Sequence, residues 1–202
     1  MAHQTYKNTN IDESGIVHRA KAGDKAALSE IIRKYEKKIY NYALHFVHNR
    51  EDAEDILQET FLSVVKAIDS FKGQSRLSTW IYKIATNAAL MKLRSPGSAK
   101  REFESFDEDN IDLSRNYIEI NRRLSESPFE MVKNKEIIEK IMQHLKDLPT
   151  KYRSVFLLRD VEGFSTDEVS KMLNMTVPAV KSNLRRARIA LRDKLADYLS
   201  GE

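Results

Sequence analysis

Apolar residues recur at three- and four-residue steps along most of this 202-residue chain, a period that only an α-helix gathers into one buried stripe. The first such stretch runs from about Asp24 to Val47, with Leu28, Ile31, Ile32, Tyr35, Ile39, Tyr42, Ala43 and Phe46 on the stripe. Asp24, just after Gly23, suits its N-cap. A second helix is expected from Asn49, with Asp52 in its first turn and Ala53, Ile56, Leu57, Phe61, Val64, Val65 and Ile68 turned inward. A third opens near Ser78 or Thr79 and runs to about Arg94, after the polar segment Lys72-Gly73-Gln74-Ser75-Arg76. Composition agrees: Leu, Ala, Glu, Lys and Arg dominate, and only 6 Gly and 4 Pro interrupt them. The expected fold class is all-α.

Ser95-Pro96-Gly97-Ser98 breaks the periodicity. From Glu102 to Glu130 acids outnumber bases and no helical period is sustained, which reads as a flexible acidic linker between two small helical domains. The boundaries expected are 1–95 for the first domain, 96–127 for the linker and 128–202 for the second domain. Ser127-Pro128-Phe129-Glu130 has capping-box spacing with Pro at the first helical position, and Ile137, Ile138, Ile141 and Leu145 follow as a stripe. A helix from about Lys151 to Val161 should end before Gly163. Ser165-Thr166-Asp167-Glu168 is another capping box, opening a short helix that ends near Leu173 or Asn174. Thr176 then caps a last helix, with Pro178 in its first turn and Val177, Val180, Leu184, Leu191, Leu195 and Tyr198 inward.

Several function classes drop out at this level. The absence of cysteine removes disulfides and thiolate metal sites. His3, His18, His45, His48 and His144 are scattered, and His45 and His48, one turn apart, read as two exposed histidines near a helix end rather than as metal ligands. No metal and no cofactor are expected. With no Gly-rich phosphate loop, no nucleophile set in a His-Asp pattern, and Glu54 and Asp55 on different helix faces, no catalytic residues are expected either. No apolar run approaches the roughly 20 residues that cross a bilayer, and the N-terminus has no apolar signal segment. The expectation is therefore a cytoplasmic protein without membrane insertion. The net charge of +4 is modest, so its distribution carries more than its sum.

That distribution is uneven. A short capped helix, the tight Asn174-Met175-Thr176 turn and a longer basic helix make a helix-turn-helix over Ser165 to Arg192. Lys181, Arg185, Arg188 and Arg192 fall at steps of four, three and four, lining one face opposite the apolar stripe. Such a face suits phosphates, and cations near the helix start can reach guanine edges; a solvated amphipathic helix is the plainer alternative. On the third helix Trp80, Lys83, Asn87 and Arg94 share one side, the residue types that stack on and read an unpaired base, although Trp80 alone would pass as a core aromatic. The second helix carries Glu51, Asp52, Glu54, Asp55, Gln58 and Glu59, a face for a protein partner or simply for water.

These residues resemble a known family. Asp55-Ile56-Leu57-Gln58-Glu59-Thr60-Phe61 is similar to the segment of sigma-70-type factors that docks on the polymerase clamp helices. Phe71-Lys72-Gly73 through Leu77-Ser78-Thr79-Trp80-Ile81-Tyr82-Lys83-Ile84-Ala85-Thr86-Asn87 resembles the segment of the extracytoplasmic-function (ECF) group that melts and reads the minus-ten element. Leu148-Pro149, Tyr152-Arg153, Leu158-Arg159-Asp160 and the helix-turn-helix resemble region 4, which reads the minus-thirty-five element. The match covers about 20–95 and 128–195, in family order. The resemblance implies that Asp55, Gln58 and Glu59 meet core RNA polymerase. It implies a pocket for a flipped base at Asn87, with Phe71, the Gln74–Arg76 loop and Trp80 beside it, and Lys83 on the same helix face is taken as a further DNA contact. It implies upstream contacts from Lys181, Ser182, Arg185 and Arg186, with Arg159 in support, and Arg188 of the same basic face is taken as a further DNA contact. Two departures from the family pattern, Val177-Pro178-Ala179-Val180 in the turn and Asn183 where a basic residue is common, bear on the upstream base preference.

The function so implied is an alternative sigma factor that lends promoter preference to core RNA polymerase and does no chemistry of its own. Promoter DNA, as duplex upstream and as a melted minus-ten strand, is the second partner implied, and an anti-sigma factor the third. The rivals are a stand-alone helix-turn-helix regulator of duplex DNA, which leaves the first domain without a role, and a helical adaptor, which leaves the basic helix without one.

Overall fold

The computed structural model describes residues 10–94 and 138–195, and the segments read as linker and as the Ser127–Glu130 capping box, together with Ile137 and Tyr198, lie outside them. Every regular element among the described residues is helical. In chain order these are α1 (Asn10–Lys21), α2 (Lys25–Val47), α3 (Arg50–Ala67) and α4 (Leu77–Arg94), then α5, described over 138–144. A 3-10 turn (Leu145–Asp147), α6 (Thr150–Phe156), α7 (Thr166–Leu173) and α8 (Val177–Lys194) complete them, with another 3-10 turn (Ile68–Ser70) after α3 and a π-type turn (Leu157–Val161) after α6.

Local chemistry sets the joints. At the end of α1, Gly23 at φ 85° sits where the Gly23 and Asp24 N–H groups bond back to the Ala20 and Arg19 carbonyls, a closing motif whose left-handed residue favours glycine. Asp24 then accepts from the Ala26 and Ala27 N–H groups at 2.8 and 3.3 Å and starts α2, as its sequence position suggests. α2 ends on His48 in the left-handed conformation, and Asn49 caps α3 by accepting from the Asp52 N–H at 2.9 Å. Two residues thus reverse the chain and set α2 and α3 side by side. α6 does not stop at Phe156 but widens into a π-type turn, Leu157–Val161. The Ser165 box forms in full, Asn174 takes the left-handed position at φ 51°, and Thr176 accepts from the Ala179 N–H at 3.3 Å.

α1 is not among the sequence expectations; Ile16, Val17 and Ala20 bury it, too few apolar positions to show a period. The expected second helix keeps Ala53, Ile56, Phe61 and Val64 inside but leaves Val65 42% exposed. His45 is buried and His48 half-buried, against the expected exposed pair, because α6 and the turn before it cover the C-terminal end of α2. Asp52, expected on an acidic surface, is buried and pairs with Lys92 at 3.0 Å.

The two helical halves share one core. Buried residues from Ile16 to Ala89 and from Ile138 to Leu191 form a single continuous cluster. Arg153 of α6 is the polar fastener across it. Its buried guanidinium donates to the Phe46 carbonyl at the end of α2 at 2.6 Å, and to the Lys146 and Leu148 carbonyls at 2.6 and 3.3 Å. The last carbonyls of a helix lack intrahelical donors and carry the negative end of its dipole, so a cation there satisfies both needs. Farther along the same seam, Tyr82 of α4 meets Phe164 edge-on at 4.9 Å.

Arg153→Ala should cost about 2–4 kcal/mol in urea unfolding, since it strands buried carbonyls, and Arg153→Lys should recover only part because an ammonium cannot reproduce the planar fork. The histidines make the fold acid-labile. Burial holds His45 at about 4, and burial with the nearby Arg153 charge holds His48 at about 3, both below the ordinary 6.5. The unfolded chain therefore takes up protons first, and their contribution fades as pH falls from 6.5 toward these values. The urea midpoint should drop between about pH 7 and pH 5, less steeply in His45→Gln.

Candidate nucleic-acid interface

Three surfaces collect the residues singled out in the sequence. The first is the outer face of α3. Glu51, Glu54, Asp55, Gln58 and Glu59 lie along it, and the face continues into Leu62 and Val65, 47% and 42% exposed. Leu62 was missed, although its place four residues after Gln58 and three before Val65 puts it on the same side. Asp55 is not independent of the fold: Lys92 bridges it at 2.5 Å and Asp52 at 3.0 Å, and the hydrogen bonds to Asp55 and Asp52 raise the Lys92 ammonium above its ordinary value. The result is an acidic patch beside two exposed apolar side chains, suited to a protein surface with basic and apolar character rather than to a phosphate backbone.

The second surface is built by the loop before α4 and by α4 itself. Ile68–Ser70 forms one 3-10 turn, and Phe71 then folds inward. Lys21 of α1 donates to the Phe71 carbonyl, and Trp80 lies over the Phe71 ring at 5.1 Å with 40° between planes. Trp80 is half-buried against the core, so it supports this surface from beneath as much as it faces outward. Gly73 at φ 68° makes the turn that lifts Gln74, Ser75 and Arg76 into solvent. Lys83 and Asn87 are exposed one and two turns farther along α4. A groove lined by Val17, His18, Lys21, Phe71, Gly73 and Arg76 opens between α1 and the loop, so α1 contributes to a surface that sequence reasoning drew from the loop and α4 alone.

The third surface is the helix-turn-helix. Val180, Leu184, Ala187 and Leu191 are buried, which turns Lys181, Ser182, Arg185, Arg186, Arg188 and Arg192 outward. The departures from the family pattern have local explanations. Pro178 sits in the first turn of α8, where its missing N–H costs nothing. Asn183 is half-buried, its amide donating to the Met175 sulfur at 3.6 Å, so it braces the turn. Not every cation is equally available. Arg188 is held in a two-pronged pair by Asp160 at 2.6 and 2.7 Å, Arg186 donates to the Tyr152 hydroxyl at 3.2 Å, and half-buried Arg159 donates to the Phe164 carbonyl. Lys181 and Arg185 are the exposed cations nearest the helix start.

This arrangement is matched by known proteins. The family models Sigma-70 region 2 and Sigma-70, region 4 match residues 31–98 and 138–191. RNA polymerase sigma-H factor of Pseudomonas aeruginosa is 31% identical over 95% of this chain and 97% of its own length. SigW, an ECF RNA polymerase sigma factor of Bacillus subtilis, is 31% identical over 90% and 95%, and the Escherichia coli ECF sigma-E factor is 30% identical over 89% and 92%. The chain belongs to the sigma-70 family, in its ECF group. It is an alternative sigma factor directing transcription initiation. Two solved structures share its fold. CnrH in complex with the cytosolic domain of CnrY has a TM-score of 0.58 at 20% identity, covering 93% of this chain and 96% of that one. The sigma factor RpoE in complex with the anti-sigma factor NepR from Bartonella quintana has a TM-score of 0.59 at 18% identity, covering 83% and 96%. Among the described residues no helix is long and apolar enough to cross a membrane, and no three side chains could share a metal.

The Asp160 clamp on Arg188 yields a test. Asp160→Ala should tighten binding of this sigma factor to duplex DNA by about two- to fivefold at low salt and steepen the salt slope by about one, because one more cation can neutralise a phosphate. Filter binding across a salt series measures both.

Proposed function

We propose that this sigma factor docks on core RNA polymerase through the outer face of α3 and reads a two-part promoter with its other two surfaces. Asp55, Gln58 and Glu59 contact the polymerase, with Leu62 and Val65 extending the patch. Lys181, Ser182, Arg185, Arg186 and Arg188 meet the upstream duplex, with Arg159 bracing the turn that presents them. Asn87 receives a flipped non-template base as the duplex opens, flanked by Lys83 and Arg76 over the Phe71–Trp80 platform. Taking a base out of the stack costs a few kcal/mol, which a fitted pocket and an aromatic support can offset. The polymerase supplies all the chemistry; the sigma factor contributes binding energy and sequence preference, in the cytoplasm, and without a metal or cofactor. The domains of this reading are 1–95 for polymerase and minus-ten contacts, 96–127 for the connection and 128–202 for the upstream contact. An anti-sigma protein restrains it, by analogy with RpoE, whose solved complex holds NepR.

The observation that carries this reading is the outward placement of Lys181, Arg185 and Arg186 on a buried-backed helix in the same chain as the exposed Asn87. A stand-alone duplex regulator needs the former and has no use for the latter.

Run-off transcription with bacterial core polymerase and a genomic promoter library tests it. Added protein should create transcripts that start downstream of one shared two-part motif. Asn87→Ala should lower their yield by about tenfold or more, in line with roughly 1–3 kcal/mol for one base contact, while still co-eluting with polymerase. No new start sites and no co-elution would discard the proposal.

A further inference from the structure

α1 joins the strand-reading surface through a single side chain, and the helix that carries it is fixed at both ends. Near its start, Glu13 accepts from the Tyr35 hydroxyl at 2.7 Å and pairs with Lys34 at 3.2 Å. At its close, the Gly23 and Asp24 N–H groups bond back to the Ala20 and Arg19 carbonyls. From this fixed helix Lys21 extends its ammonium to the Phe71 carbonyl, 50 residues on in the chain. An exposed lysine in the last turn of a helix ordinarily meets water or that helix's own last carbonyls. This one reaches the loop before α4 instead.

The point it grips is where that loop leaves the core. Phe71 is buried, its N–H donates to the Ile68 carbonyl at 3.1 Å, and its ring lies against Trp80. Lys72 to Arg76 are then all exposed, and the chain turns at Gly73. Within the loop the Ser75 hydroxyl donates to the adjacent Arg76 carbonyl at 3.4 Å, a long bond that does little to fix its path. A segment of exposed backbone with few internal bonds opens easily unless it is tied from outside, and precise recognition depends on restricting it beforehand. Resting on the sigma-factor reading above, we propose that Lys21 is a positioning residue for minus-ten recognition. Its ammonium pins the Phe71 carbonyl and so sets how sharply the Gln74–Arg76 loop and Asn87 discriminate among unpaired bases. Lys21 touches no base in this role; it acts through the loop backbone. The matched region 2 segment begins at residue 31, so part of the reading machinery stands on a helix outside it. The acceptor is a backbone carbonyl, which no substitution at Phe71 removes, and the test therefore falls on Lys21.

Trp80 is the one tryptophan of the chain and lies against Phe71, so its emission reports the seating of the loop in the full-length protein. Lys21→Met keeps the apolar stem and removes the ammonium. It should shift Trp80 emission to longer wavelength and raise its quenching by acrylamide, with circular dichroism unchanged because Lys21 is exposed. Lys21→Arg, which can still donate to the carbonyl, should stay close to the wild type. Run-off transcription from a responsive promoter and its minus-ten single-base variants gives the second readout. Lys21→Met should lower the ratio of best to substituted template by about two- to fivefold, the scale of one partly exposed charge-assisted hydrogen bond. Co-elution with polymerase should be retained, and Lys21→Arg should recover the ratio. Wild-type emission and quenching in Lys21→Met overturn the anchor. An equal loss on every template, with a salt slope lower by about one, replaces positioning with a direct phosphate contact. No transcript from the wild type discards the sigma reading and this role with it. The emission needs neither promoter nor polymerase, so failure of the anchor and failure of that reading are told apart.

Discussion

Arg153 is the interaction on which the arrangement of this sigma factor depends. A guanidinium taken out of water is costly unless its donors are met, and here both terminal nitrogens donate to carbonyls from two separate places: the end of α2 and the turn before α6. The charge lies against the negative end of a 23-residue helix, which makes the site favourable for a cation and unfavourable for a neighbouring imidazolium. Burial keeps His45 and His48 neutral, and at His48 the Arg153 charge adds to it. Around this point the apolar stripes of both halves merge into one core.

Along the seam the interactions change character. Near Arg153 they are buried and geometrically demanding. At Tyr82 and Phe164 they are aromatic, and at Arg76, Thr79 and Glu168 they are polar and partly wet. A seam graded in this way loosens first at its exposed end, where screening by salt or competition by another anion is effective. That end is also where the candidate strand-reading loop lies. The same residue, Glu168, closes a helix N-terminus and neutralises a cation of the other half, so local capping and long-range packing are coupled through one carboxylate.

Much of the local structure was legible in the sequence because it is set by short-range chemistry. Asp24, Ser165 and Thr176 each act within a few residues of themselves and cap the helices that their places in the chain suggested, while Asn49 and Asn174, read as a helix start and a turn, prove to be caps as well. The outward face of α8 was legible for the same reason, since helical periodicity assigns faces wherever the apolar stripe is continuous. The misreadings share a cause as well. Asp52 read as surface because its type is polar, but Lys92, far along the chain, gave it a buried partner. Val65 read as core because its type is apolar, but the packed helices leave that side of α3 open among the described residues. Trp80 was placed on an open face, whereas Phe71 and the core beneath claim part of its ring.

What the sequence determined by itself was the helices other than α1, most of their caps and turns, the family and the outward face of α8. These follow from propensities, periodicity and hydrogen bonds that close within a turn or two. What only the tertiary structure decided was how the two halves meet, which acids and histidines become buried, and which candidate DNA-contacting cations are already engaged by carboxylates. Those outcomes rest on pairs such as Arg76 with Glu168 and Arg153 with Phe46, 92 and 107 residues apart in the chain. A charge or a carbonyl carries no mark in the sequence of the distant group that will satisfy it; desolvation selects the partner only once the helices have packed.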